Sequence, residues 1–153
     1  MAFWGTVIAV LGTLAGTALA SVTQHLVTRR GEQREHRQEV AARVSEVLAA
    51  ALACRERFWL RGASARDGKP ETAEERAGRY AARSAVTQAM DRLAMTTAHP
   101  RLLAAAAEAA WSAIGLSETE LGLSETALDA GRTRSRDAHT ALRDTGAAYI
   151  HRR

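Results

Sequence analysis

A chain of 153 residues has room for one domain, which argues against a multidomain enzyme. It carries 20 Arg but 1 Lys, a net charge of +4, and 34 Ala that make up nearly half of its 46% apolar residues. With aromatics at 5%, this composition favours long helices packed through small side chains over a bulky globular core. Cys54 is the single cysteine, which excludes an internal disulfide and a thiolate metal cage.

The charge is unevenly spread. Met1 to Thr28 contains no charged side chain, and Arg29-Arg30 end that stretch abruptly. Phe3 to Val22 supplies 20 mostly apolar positions, the span a transmembrane helix needs. Trp4 suits one interface, while Gln24 and His25 begin the other. The expected organisation is a membrane anchor over 1–28 followed by a helical part over 29–153. Ala18-Leu19-Ala20 before Ser21 resembles a small-x-small cleavage site, so an exported helical binding module released after Ala20 is an alternative. Against cleavage, no Lys or Arg precedes the apolar stretch, which also continues through Val22, Leu26 and Val27.

Arg29, Arg30, Arg34, Arg37 and Arg43 crowd the segment after the span, opposed by Glu32, Glu35 and Glu39. This bias puts the N-terminus outside and the long C-terminal part in the cytoplasm of a single-pass protein of the cell membrane. The arginines fix topology and solvate a helix, with anionic headgroups as a secondary contact. Along the span, Gly12 to Gly16 forms a G-x-x-x-G that Ala20 extends by one step. That spacing lets two backbones approach closely in lipid, so a homo-oligomer through this face is one expectation.

From Glu32 to about Arg61 the pattern is helical. Val40, Val44, Val47, Ala51, Cys54 and Phe58 make a heptad seam, with Leu48, Leu52 and Trp59 widening it into a core-facing stripe. Cys54 is therefore expected to be buried and unreactive. The membrane helix should run on into this one as a rod of roughly 87 Å, with Gly31 the expected bend. Gly62 to Pro70 reads as a loop; its Gly68-Lys69 pair lacks the glycine spacing, the Ser or Thr and the preceding strand of a phosphate-binding loop. Thr72-Ala-Glu-Glu75 is a capping box that opens a second helix, carrying Ala82, Val86, Met90 and Leu93 on its apolar side and ending near Thr97.

Pro100 suits the first turn of a third helix, where Leu103, Ala107, Ala110 and Ile114 form the inward side and Trp111 provides a large anchor. Gly115 to Leu128 holds two copies of Gly-Leu-Ser-Glu-Thr-x-Leu, too few for a repeat architecture. Ser117-x-x-Glu120 in the first copy has capping-box form; the second has Ala127 where a Glu is needed. A fourth helix runs to about Ile150, carrying Leu128, Ala138, Leu142 and Tyr149. Short connections then imply antiparallel packing. The fold expected is all-α: one transmembrane helix continuing into a cytoplasmic antiparallel bundle of about four long helices.

No reaction is legible. His25, His36, His99, His139 and His151 have no metal-ligand spacing, and no Gly-rich loop opens a helix after a strand. No catalytic, cofactor or metal site is therefore expected, and the protein reads as non-enzymatic. Arg132-Thr-Arg134-Ser-Arg136 is the one compact basic run, without interspersed aromatics to stack on bases. Direct nucleic-acid binding is disfavoured, and a membrane-tethered DNA-binding protein using these three arginines is kept as a further alternative.

The opening VIAVLGTLAGT, the Arg/Glu helix leading to RERFWL, the segment AARSAVTQAMDRL and the closing SRDAHTALRDTGAAYI together resemble the KilB-like proteins of filamentous actinomycetes and their conjugative plasmids. The resemblance covers essentially the whole chain and rests on alanine-rich, degenerate motifs. It implies a membrane protein that acts in plasmid spread between mycelial compartments, beside other spread or transfer proteins and a DNA-translocating ATPase. The family supplies no catalytic residues to carry over. The Gly-Leu-Ser-Glu-Thr duplication is not among the motifs that carry the resemblance.

Overall fold

The computed structural model describes residues 2–118 and 124–151, and the side chains of all of these except 2–23 and 26. The chain forms four helices: α1 (Ala2–Arg66), α2 (Ala73–Thr96), α3 (Pro100–Glu118) and α4 (Glu125–Ile150). No strand occurs among the described residues. Two compact units divide it, Met1–Arg37 and Gln38–Arg153. Gly31 lies inside α1. The apolar span over 3–22, with Gly12, Gly16 and Ala20, falls among residues whose side chains lie outside the described set. Among the described residues, no helix is long and apolar enough to cross a membrane.

Local chemistry explains the helix ends. The loop expected over Gly62 to Pro70 is shorter, because α1 continues to Arg66. Ala63, Ala65 and Arg66 favour helix, and neither Gly62 nor Ser64 suffices to break it. Gly68 does, with φ +69, a left-handed conformation that glycine adopts without a Cβ penalty. The Lys69 N–H donates to Ser64 O and the Gly68 N–H to Ala65 O, each at 3.0 Å, closing a Schellman motif.

At the start of α2 the Glu75 N–H donates to Thr72 Oγ1 at 3.1 Å, and the Thr72 N–H donates to Glu75 Oε2 at 2.8 Å. Thr72→Ala is expected to lower stability by about 1 kcal/mol in urea unfolding, whereas Thr72→Ser keeps it. An unchanged midpoint for the alanine variant would show the box to be dispensable. At α3 the cap is His99, whose Nδ1 accepts from the Leu102 N–H at 3.2 Å. The tandem repeat divides unexpectedly. Ser117 lies inside α3 rather than capping a new helix, and it is Ser124 of the second copy that caps α4, accepting from the Ala127 N–H at 3.4 Å. Capping there uses a backbone donor, so Ala127 suffices. Glu120 lies outside the described residues.

Within Gln38–Arg153, cross-helix pairs define the topology. Val44 lies against Gly146, while Arg55 donates to Ser135 O at 3.4 Å, so α1 and α4 run antiparallel. Glu46 pairs with Arg92 at 3.6 Å and Arg57 lies against Gly78, which makes α1 and α2 antiparallel as well. Glu108 with Arg134, and Leu116 with Gly131, do the same for α3 and α4. The result is an up-down-up-down four-helix bundle, as the short connections require.

The larger apolar cluster joins Val40, Val44 and Val47 of α1 to Ala89 and Leu93, to Leu102, Ala106 and Ala109, and to Ala138 and Leu142. A second cluster joins Ala51 and Cys54 to Val86, Ala110, Ala113 and Ile114. Val40, Val44, Val47, Ala51, Cys54 and Phe58 are all buried. The Cys54 thiol lies 3.7 Å from Ala113 O.

Four expectations are corrected. Trp59 and Trp111 are not core residues, being 48% and 62% exposed, and Leu52 is also exposed. Each tryptophan follows a buried residue, Phe58 or Ala110, and one step along a helix turns a side chain by about 100°. On α3, Ala110 and Ile114 are buried as expected, whereas in its first half Leu102 and Ala106 are fully enclosed and Leu103 and Ala107 only partly so. An alanine-lined contact brings backbones too close together to admit an indole.

Candidate functional site: an arginine and tryptophan groove between α1 and α4

A groove of about 680 Å³ opens between α1 and α4. Leu52, Trp59 and Leu60 form its α1 wall, Leu116 its floor, and Arg132 and Arg136 its α4 wall. The α1 residues belong to a second apolar stripe, displaced around the helix from the buried seam. They remain 55%, 48% and 52% exposed. The guanidinium of Arg132 lies over the Trp59 ring at 4.3 Å and donates to Asp129 Oδ1 at 2.9 Å. A cation over an indole face is the favoured cation–π arrangement, and the Asp129 contact holds it in place. On the far side of this stack a second recess of about 470 Å³ runs towards Arg66.

Arg55 sits at the inner edge. Besides its bond to Ser135 O, its Nη2 lies 3.5 Å from His139 Nδ1. Burial, and then the like charge of Arg136, lower the Arg55 pKa, although a guanidinium stays charged at any working pH. Among the described residues no carboxylate lies within ion-pairing distance of Arg55 or Arg136. Ser135 is 2% exposed, and its buried hydroxyl has no partner among the described residues.

Burial first, then Arg55 and Arg143, hold the His139 imidazole below its ordinary pKa of 6.5. The folded protein thus favours the neutral ring, and below pH 6.5 the unfolded chain binds more protons. The contribution is intact above that pH and lost as pH falls towards the folded-state pKa. In urea unfolding on both sides of pH 6.5, His139→Gln is expected to flatten the fall on the acid side. An unchanged slope would place the dependence elsewhere.

The arginine run at 132–136 does not make one cationic face. Arg132 and Arg136, one turn apart, reach the groove, whereas Arg134 points away and bonds Glu108 at 2.7 Å. That contact lowers the Glu108 pKa and raises that of Arg134. Arg29, Arg30 and Arg34 are exposed and Arg37 half-buried, and none makes an ion pair among the described residues. No group of three or more His, Cys, Asp or Glu able to hold a metal occurs among the described residues. Sequence reasoning missed the groove because it assigned Trp59 to the core and found no aromatic near Arg132. The available signal was the offset of Leu52 and Trp59, one residue or about 100° past the seam residues Ala51 and Phe58, with Leu60 one step further.

These features define an all-α helical bundle with an apolar, arginine-edged groove along one pair of helices. The chain belongs to the KilB plasmid transfer protein family, whose model matches residues 41–150. It is similar to Protein KilB of Streptomyces lividans, at 44% identity over 85 residues, 54% of this chain and 57% of that protein. The match thus spans little more than half of that relative's length. No solved structure matches the chain.

Proposed function

We propose that the protein is a non-enzymatic assembly factor for the transfer or spread of conjugative plasmids, anchored by one membrane span over 3–22 with its helical bundle in the cytoplasm. The observation that carries this reading is the family match over 41–150, which covers the bundle. The anchor and its orientation are supported by the uncharged stretch up to Thr28 and by Arg29, Arg30 and Arg34, exposed residues that follow it. Gly12, Gly16 and Ala20 supply a close-packing face for self-association in the membrane. Other transfer or spread proteins are the partners this reading calls for.

Deleting the gene from a plasmid-bearing host should reduce transfer or spread. The full chain should restore it, and a version lacking residues 1–28 should not. Undiminished spread after deletion would overturn the assembly role. Alkaline carbonate extraction with intact-mass measurement tests the anchor separately. A full-length species resisting extraction supports it, and a soluble species beginning at Ser21 overturns it. Gly12→Ile with Gly16→Ile should weaken self-association in a membrane two-hybrid assay, and an unchanged signal would reject the small-residue face.

A further inference from the structure

We infer that the groove between α1 and α4 docks an acidic amphipathic helix from a partner protein. This rests on the reading of the chain as an assembly factor, and it names the chemistry of one partner.

Size and shape fit such a guest. Leu52, Trp59 and Leu60 span about 12 Å along α1, two to three turns of a helix laid alongside. Three large side chains, each about half exposed, form a contiguous apolar stripe beside a seam that is already filled. A helix docks in such a groove through anchors at i, i+3 or i+4, and i+7. Trp59 is pre-set for contact, because Arg132 and Asp129 fix one side of its ring.

Charge selects the kind of helix. Arg132 already has Asp129, whereas Arg55 and Arg136 have no carboxylate among the described residues and repel each other. Carboxylates flanking the guest's apolar stripe would satisfy both. A second copy of this chain pairing groove to groove fits poorly, because that would bring the three arginines of each copy to one interface. A nucleic acid fits poorly too. The large side chains along the groove are mostly leucines, which offer no stacking platform, and Arg132 already covers a face of the indole.

The test uses the full chain in detergent micelles and fluorescence anisotropy. The probe is a labelled helical peptide of about 14 residues, with Leu at i, i+3 and i+7 spacing and Glu on both flanks. Companion probes replace Glu by Gln or by Lys, and a labelled DNA duplex is run alongside. The Glu peptide is expected to bind, and the Gln peptide about tenfold more weakly. Arg136→Glu should weaken the Glu peptide by at least about tenfold and create binding of the Lys peptide. Trp59→Ala should weaken the Glu peptide similarly, with far-UV circular dichroism confirming the fold. Where that variant does not fold, Leu52→Ser on the exposed stripe replaces it.

Several results would overturn the docking proposal: no binding of the Glu peptide, equal affinity for the Glu and Gln peptides, indifference to Arg136→Glu, or tighter binding of DNA. Any of them leaves the plasmid-transfer assay standing, since that assay reads the family role and this one reads the groove.

Discussion

Leu142→Ala is expected to destabilise the bundle by about 3 kcal/mol, lowering its melting temperature by roughly 10 °C. Leu142 is 0% exposed and belongs to the cluster that joins Val40, Val44, Leu93 and Leu102, so its side chain lies in a core to which all four helices contribute. Truncation removes its transfer free energy and leaves a cavity that a close-packed interior closes only in part. Leucine and alanine differ little in helix propensity, so the loss would report packing rather than local structure. Thermal and urea unfolding followed by circular dichroism would measure it. A shift of only a degree or two would show that the site collapses freely or is not enclosed.

The opposite change at a second site is expected to be nearly as damaging. Ala113 is 0% exposed, and its carbonyl lies 3.7 Å from the Cys54 thiol, so α1 and α3 are held close together there. Ala113→Leu drives an isobutyl group into that contact and should cost about 1–3 kcal/mol, by forcing strained rotamers or parting the helices. It should also hasten modification of Cys54 by a thiol reagent under native conditions, a readout that general destabilisation at a distant site would move less. Ala104→Leu on the exposed side of the same helix is the control, with little change expected. Equal behaviour of the two variants would show that the close contact does not govern stability.

Much of the bundle was legible in one dimension. The steps of three and four from Val40 to Phe58 mark a buried seam because a helix returns to the same face every 3.6 residues, a property of the backbone alone. Thr72 and Glu75 mark a helix start because both hydrogen bonds of the box lie within four residues. Legibility faded where a local signal had competitors. Ser117 and Ser124 hold the third position of near-identical heptapeptides, yet only Ser124 caps a helix among the described residues, because α3 was already under way at Ser117. Gly62 and Gly68 stand six apart, and only Gly68 takes the left-handed conformation that ends α1. On α3 the expected Ala110 and Ile114 are buried, but Leu102 and Ala106 rather than Leu103 and Ala107 face in nearer its start, because four consecutive alanines, 104–107, carry almost no moment to reveal which of them is inward.

The sequence by itself determined the helical class, the order and approximate bounds of the helices, and the family, since these depend on periodicity, capping and residue identity along the chain. Only the tertiary structure decided which large side chains stay outside and what they meet. Trp59 and Arg132 lie far apart in the chain and come together because α1 and α4 run antiparallel. The same packing separates Arg134 from its neighbours by giving it Glu108 and leaves Arg55 and Arg136 facing one groove. A helix's own pattern shows which side is apolar. The choice between two adjacent apolar stripes is made by the partner helix that covers one of them, and no local signal in the chain records that choice.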